Sequence, residues 1–175
     1  WWAGHVGAGW TKGAYLQVAD AFSAGAGWWN NTAPDNNAVS LGSYPTTGST
    51  SATYVAYCFA PVEQYSSFNS YLGNGSADGP FVFTGFRPAF LLIKASSISG
   101  EDWMILDAAR STANVADDGL FANLNIAEIS HPNYNVDFLS NGFKIRNSTA
   151  RFNSSGATYI FAAFASHPFR SSRAR

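Results

Sequence analysis

Short stretches rich in aromatic and β-branched residues alternate with turn-forming residues along most of the chain. Such stretches predict β-strands, because these side chains pack well on a pleated surface. The predicted strands are residues 52–60, 81–86, 90–94, 103–107, 136–139, 142–146 and 157–165. Gly, Pro, Asn, Asp, Ser and Thr are concentrated between them, in residues 30–37, 44–51, 73–80, 96–100 and 147–156. Many short strands separated by turns favour an all-β fold, an antiparallel β-sandwich or barrel.

Helical patterning is weak in this sequence. Only residues 120–129 and 15–22 have a composition that allows a helical turn, and neither sustains an apolar stripe with a period of 3.6 residues. We therefore expect one or two short helices in a fold made of strands.

An internal repeat is the most informative feature of the sequence. Residues 51–60 (SATYVAYCFA) parallel residues 156–165 (GATYIFAAFA), and a proline follows each within a few residues. Upstream, residues 39–42 correspond to residues 138–142, and Trp2 corresponds to Trp103. The alignment predicts a partial first module in residues 1–62, and a complete second module with a short C-terminal tail in residues 63–175. Because the first module lacks a counterpart of residues 67–94, the chain is expected to begin inside a module, with further copies upstream.

Composition excludes several classes of partner. Charged residues make up only 12% of the chain and aromatic residues 16%, so much of the surface must consist of small polar residues and aromatic edges. The net charge is -1, and the one basic cluster is Arg170, Arg173 and Arg175, so we expect no nucleic-acid partner. No apolar run reaches the roughly 18 residues of a membrane span, so no membrane insertion is expected.

No catalytic or cofactor motif stands out. His5, His131 and His167 lie far apart, and none has a second ligand at metal-binding spacing. There is no Gly-x-Ser-x-Gly motif, and residues 4–9 do not form a phosphate-binding loop. We predict a protein that is not an enzyme and has no cofactor and no metal.

Acidic residues leave two alternatives open. A glycosidase would need two convergent carboxylates, which Glu101 with Asp107, or Asp107 with Asp137, could supply if the fold brought them together. The hard oxygen ligands that Ca²⁺ prefers are present at residues 35–37 and 117–118.

Trp28, Trp29, Asn30 and Asn31 form the candidate ligand-binding segment. Successive side chains of an extended chain point to opposite faces, so one tryptophan is expected to be exposed, where a sugar ring could stack on it. The two asparagines would supply hydrogen bonds. The alternative is that Trp28 or Trp29 closes one end of the sandwich or an interface between subunits.

Two residues in the first repeat are expected in the core. Cys58 cannot form an internal disulfide and lies in an apolar run, so it is predicted to be a small buried side chain. Tyr54 and Tyr159 occupy the same repeat position, and an alternating core face accounts for both.

The remaining tryptophans, which are predicted to lie in the core or between lobes, are Trp1, Trp2, Trp10 and Trp103.

Residues 54–62, 70–80, 81–94 and 136–144 resemble uncharacterised repeat modules from the C-terminal parts of bacteriophage tail-fibre and other virion proteins, many from aquatic hosts. The resemblance covers most of residues 52–175. It implies a jelly-roll-like or concanavalin-like β-sandwich at the distal end of a virion appendage, where a host-surface glycan or protein is contacted. It brings no catalytic residues with it.

The expected function is therefore that of a virion structural module, made in the bacterial host cytoplasm and assembled with other virion proteins. Analogy with fibres implies a homotrimer. Two alternatives stay open, a capsid decoration or head-fibre subunit and a secreted carbohydrate-binding β-sandwich. The receptor, the number of repeats and the position in the virion are not determined by the sequence.

Overall fold

The computed structural model describes residues 1–166, and most of their regular structure is β. The strands are β1 (Trp2–Ala3), β2 (Lys12–Tyr15), β3 (Ser23–Ala24), β4 (Ser66–Leu72), β5 (Phe81–Phe83), β6 (Pro88–Ala95), β7 (Met104–Asp107), β8 (Asp118–Phe121), β9 (Ile129–Ser130), β10 (Val136–Leu139), β11 (Gly142–Ile145) and β12 (Thr158–Ala165). The helices are α1 (Ala26–Trp29), α2 (Pro45–Gly48) and α3 (Ala150–Asn153), with 3₁₀ turns at Val6–Ala8 and Pro132–Tyr134.

Two antiparallel sheets form a sandwich. One has six strands in the order β4-β12-β6-β7-β8-β9, and the other has three in the order β10-β11-β5. Buried side chains from both sheets form one continuous core, in which Phe143 of β11 meets Phe161 of β12 and Tyr71 of β4. The predicted all-β, antiparallel sandwich fold is confirmed.

The strand β12 is buried on both faces. Tyr159 and Phe161 point into the core between the two sheets, whereas Ile160 points to the opposite face. A strand covered on both sides has apolar residues at successive positions, which accounts for the unbroken apolar run that predicted it.

A third layer, formed by β1, β2 and β3, covers that opposite face. Ala14 and Phe22 from this layer pack against Ile160 and Trp103. His5 also joins the layers, because its Nε2 donates a hydrogen bond to the Phe161 carbonyl over 2.9 Å. Burial lowers the pKa of His5, and this hydrogen bond opposes that effect.

Residues 52–60 do not form the predicted strand. They are exposed throughout and pair with no strand of the described chain, and the exposed fraction of Tyr54 is 41%. Cys58 is also exposed, so the predictions of a buried Cys58 and a buried Tyr54 are wrong. The physical reason is that β12 fills the position between β4 and β6. The internal repeat and the division at residue 62 stay predictions.

The other predicted strands are present, with ends that differ by up to three residues. The predicted helical turns are wrong, because residues 120–129 contain the end of β8 and the start of β9, and residues 15–22 contain no helix. The three helices lie in or beside the predicted turn clusters instead. Each is a single turn of four residues, which is too short to produce a helical period in the sequence.

A buried lysine connects the third layer to the six-stranded sheet. The side chain of Lys94 in β6 is fully buried, and its Nζ donates hydrogen bonds to the carbonyls of Ala95 (2.9 Å) and Ala19 (3.2 Å). Burial lowers the pKa of Lys94 to about 8, although Glu101, Asp102 and Asp20 attract its charge.

We expect the free energy of unfolding to rise as the pH rises from about 8 towards the pKa of an unfolded lysine. In this range the unfolded chain binds a proton at Lys94 that the folded chain has released. Lys94→Met should remove this rise, measured by urea unfolding at several pH values from 7 to 9.5. Lys144→Met is the control, since Lys144 is partly exposed and pairs with Asp78. Equal pH profiles for Lys94→Met and the unmodified chain would contradict the prediction.

Candidate functional site

A polar cleft lies at one edge of the sandwich, next to α3. Its volume is about 280 Å³. The residues that line this cleft, called the Arg151 cleft below, are Glu101, His131, Asn133, Tyr134, Thr149, Ala150 and Arg151. They come from the segment before β7, from the 3₁₀ turn at Pro132–Tyr134 and from the start of α3.

Arg151 is the central residue of the cleft. Its Nη2 lies 3.1 Å from Asp102 Oδ2, and its Nε lies 3.6 Å from Glu101 Oε2. Its Nη1 donates a hydrogen bond to Tyr134 Oη over 3.2 Å, and the guanidinium stacks 4.9 Å above the ring of Phe121. Nε is buried and makes no hydrogen bond within residues 1–166. Ion pairs and a stacked ring therefore hold the guanidinium in place while one of its donors stays unused.

Neighbouring residues hold the cleft in shape. Asn123 donates a hydrogen bond to Asp102 over 2.7 Å and accepts one from the Trp103 amide, which fixes the carboxylate beside Arg151. His131 Nδ1 accepts a hydrogen bond from the Asn133 amide over 3.0 Å. These bonds are local or join adjacent segments, and they fix the positions of Asp102 and His131 beside Arg151.

The chemistry of the cleft suits a polyhydroxylated ligand. Glu101 offers a carboxylate and Arg151 a cation. His131 Nδ1 accepts from Asn133, which leaves its Nε2 to donate, and Thr149 Oγ1 donates to Asn147, which leaves it to accept. Tyr134 adds an aromatic ring. Directional polar groups beside an aromatic ring are what sugars require, because sugars have hydroxyl edges and apolar faces.

A second hollow of about 420 Å³ lies at the start of β4. Its lining residues are Pro61, Val62, Glu63, Gln64, Ser66, Ser67, Phe83, Thr84 and Gly85. Glu63 is the only charged residue in this lining, so the hollow has fewer convergent charged groups than the Arg151 cleft.

The two tryptophans of the predicted binding segment are buried. The exposed fractions of Trp28 and Trp29 are 3% and 8%, and Trp29 Nε1 donates a hydrogen bond to the Lys12 carbonyl. The expectation of an exposed tryptophan face is therefore wrong, because Trp28 packs against aromatic residues of the third layer. Its ring contacts are Trp2, Tyr15 and Tyr44.

Asn30 and Asn31 are exposed and have positive φ values, and Asn30 is the C-cap of α1 in the left-handed conformation. Ligand binding by this segment stays a prediction. The exposed side-chain amides of Asn30 and Asn31 would have to make the contacts with the ligand. Among the other tryptophans, Trp103 is buried as predicted, whereas Trp1 is 64% exposed, so the prediction of a buried position is wrong for Trp1.

The candidate carboxylate pairs are directed to different arginines. Glu101 pairs with Arg151, Asp107 with Arg110, and Asp137 with Arg146. Each acid is thus held in a separate ion pair.

The proposed Ca²⁺ ligands are engaged in local hydrogen bonds. Asp35 Oδ1 accepts bonds from the amides of Asn37 and Ala38, which lowers the pKa of Asp35. The carboxylates of Asp117 and Asp118 accept bonds from serine hydroxyls. Within residues 1–166 no group of three His, Cys, Asp or Glu residues is placed to hold a metal ion. His167 and the basic residues 170–175 lie outside the described part of the chain.

Sequence reasoning missed the Arg151 cleft. Its residues come from three segments that lie up to 50 positions apart, and none carries a motif. The residues 131–134 and 149–151 fall in turns of the sequence, where charged and polar residues are common, so no local signal distinguishes them.

Comparison with known proteins gives one finding. Residues 1–168 match the family described as a domain of unknown function (DUF7483). No curated protein and no solved structure matches the chain. Across residues 1–166, no helix is long and apolar enough to span a bilayer.

Proposed function

The chain belongs to the DUF7483 family, and we propose that it is a structural module of a bacteriophage virion that forms the distal part of a tail fibre. There it contacts a host-surface receptor or glycan and has no catalytic role. The resemblance of residues 52–175 to tail-fibre repeat modules supports the location. The all-β sandwich and the low content of charged residues fit a rigid module of this kind.

The observation that carries the adhesive role is the Arg151 cleft. It places a cation, a carboxylate and hydrogen-bonding side chains beside the ring of Tyr134. A host glycan with several hydroxyl groups would bind there through hydrogen bonds at its edges and ring contact at one face.

Arg151→Met should weaken glycan binding at least about tenfold, because it removes the cation and its hydrogen bonds while keeping an extended side chain. The measurement is binding of the purified chain to an array of bacterial lipopolysaccharide and capsular polysaccharides. Arg146→Met is the control, since Arg146 pairs with Asp78 and Asp137 and does not line the cleft. Thermal melting of both variants shows whether they are folded. Equal binding by the two folded variants, or no binding to any polysaccharide, would remove the glycan role.

The position in the virion needs a separate test. Electron cryo-microscopy of phage particles that contain the chain should place it at a free fibre tip, with the Arg151 cleft open to solvent. We propose a homotrimer there, which sedimentation of the purified chain would detect as a threefold mass.

A capsid decoration or head-fibre subunit is the second candidate. The exposed apolar side chains of residues 52–60 favour it, because surfaces of this kind are usually covered in assemblies. Burial of the cleft against capsid proteins would support this candidate and contradict adhesion. A secreted carbohydrate-binding protein would bind glycans equally well, but it would be absent from purified particles.

A further inference from the structure

Strands in the two halves of the chain pair in the same way. In the third layer, Lys12 pairs with Ala24 and Gly13 with Ser23. In the six-stranded sheet the corresponding pairs are Asp118 with Ser130 and Gly119 with Ile129. The sheet order β1-β2-β3 thus parallels the order β7-β8-β9.

The connections that follow these strands also agree. A short helical turn comes after the third strand in both halves, α1 in one and Pro132–Tyr134 in the other. The ring of Trp28 lies against Gly13, and the ring of Tyr134 lies against Gly119. A Cβ at Gly13 would lie 2.5 Å from the Trp28 ring, and one at Gly119 would lie 2.7 Å from Met104 Sδ and 3.2 Å from the Tyr134 ring, so each glycine allows the close approach of large side chains.

A tyrosine closes the same turn in each half. Tyr54 Oη donates a hydrogen bond to the Pro45 carbonyl over 2.8 Å and accepts one from the Ser49 amide over 3.0 Å. Tyr159 Oη makes the equivalent pair of bonds, to the carbonyl of Ala150 and from the amide of Ser154. These bonds identify residues 52–60 as the counterpart of β12.

The two halves differ in what surrounds that strand. Strand β12 lies between β4 and β6, and Ile160 is 2% exposed. Val55, its counterpart, is 70% exposed, and residues 52–60 have no strand neighbour among the described residues. In the same way, β7 pairs with β6, whereas β1 pairs with β2 and with no other strand of residues 1–166.

The unpaired edges lie close together. The ring centroids of Trp1 and Tyr57 are 5.7 Å apart, so side chains bridge residues 52–60 and the residue that precedes β1. In the second half, β6 lies between the corresponding strands β12 and β7. A row of unpaired backbone groups that carries apolar side chains is a template for another strand.

We infer that residues 1–62 form an open sandwich that accepts a strand pair with the sequence pattern of residues 63–101. The donor strand that corresponds to β6 would lie between β1 and residues 52–60 and pair with both. The donor strand that corresponds to β4 would pair with the other edge of residues 52–60. The donor is a β4–β6 segment of a DUF7483 domain. A second, folded copy of this chain cannot be the donor, because its β4 and β6 are already paired with its own β12. The inference does not depend on a role in virions.

The test adds a copy of residues 63–101 directly before Trp1 and uses Cys58 as the reporter, because it is the single cysteine of the unmodified chain and the added copy contains none. In the unmodified chain the exposed thiol should react readily with a maleimide. In the extended chain the rate should fall at least about 100-fold, because Ala163, the counterpart of Cys58, is fully buried and reaction would require local opening. The control is the same extended chain with Leu91→Asp and Ile93→Asp in the added copy, where the reaction should stay fast.

Amide hydrogen exchange provides the second measurement. Protection should appear in residues 52–60 of the extended chain while β12 stays protected, which shows that the C-terminal sandwich is intact. Fast exchange in residues 52–60 with β12 protected would overturn the inference. Loss of protection in β12 would also overturn it, because the added strands would then have captured the wrong segment. A Cys58 thiol already protected in the unmodified chain would overturn it as well.

Discussion

Phe143→Ala should lower the free energy of unfolding by about 3–5 kcal/mol, the usual cost of removing a phenyl ring from a packed core. Phe143 is fully buried in β11 and lies where the two sheets meet. Its ring centroid is 5.2 Å from that of Phe161 and 6.0 Å from that of Tyr71, and both contacts are edge-to-face. The substitution would leave a cavity between the sheets that neither backbone can close. Urea unfolding measures the loss.

Phe83→Ala is the matched control for this substitution. Phe83 lies in β5 of the same three-stranded sheet, but it is 67% exposed. Its removal should change the free energy of unfolding by less than about 1 kcal/mol. Similar losses for both variants would show that the core does not lie between these two sheets.

Asn153→Leu should lower the free energy of unfolding by about 3 kcal/mol, although the two side chains have the same number and branching of heavy atoms. Asn153 is fully buried at the end of α3. Its Nδ2 donates to Asn74 Oδ1 and to the carbonyls of Ser76 and Asn147, and its Oδ1 accepts from the Asn74 amide over 2.7 Å. Leucine would remove all of these bonds and leave the buried Asn147 carbonyl without this partner, and a buried unsatisfied group costs about 1–3 kcal/mol.

The matched control is Asn36→Leu, at an exposed position for which a change of less than about 0.5 kcal/mol is expected. Glycan binding offers a second readout, since α3 also carries Arg151 into the cleft. If Asn153→Leu left both the free energy of unfolding and glycan binding unchanged, the hydrogen bonds of Asn153 would not determine the position of α3.

The two aromatic predictions failed for the same physical reason. Neighbouring residues in the sequence do not decide whether Trp28 is exposed, because its cover comes from Trp2, Tyr15 and Tyr44. Tyr54 was expected in the core because its segment resembles that of Tyr159, yet β4 and β6 cover only the latter. Burial of an aromatic ring depends on partners that are distant in the chain.

The Arg151 cleft was beyond sequence reasoning for a related reason. Glu101, Tyr134 and Arg151 are ordinary loop residues when each is considered alone. Their proximity is a consequence of the six-stranded sheet and of α3, which place the three loops at one edge of the sandwich.

The sequence by itself determined the fold class, because residues 136–145 and 157–165 carry strand patterns that are independent of any neighbour. It also determined that residues 157–165 would form a strand, but not that this strand would be buried on both faces, because an alternating core face was expected there. Only the tertiary structure decided which of the two similar segments occupies the centre of the six-stranded sheet. The two segments have nearly the same local preferences, so the choice depends on long-range pairing with β4 and β6, which only one of them obtains.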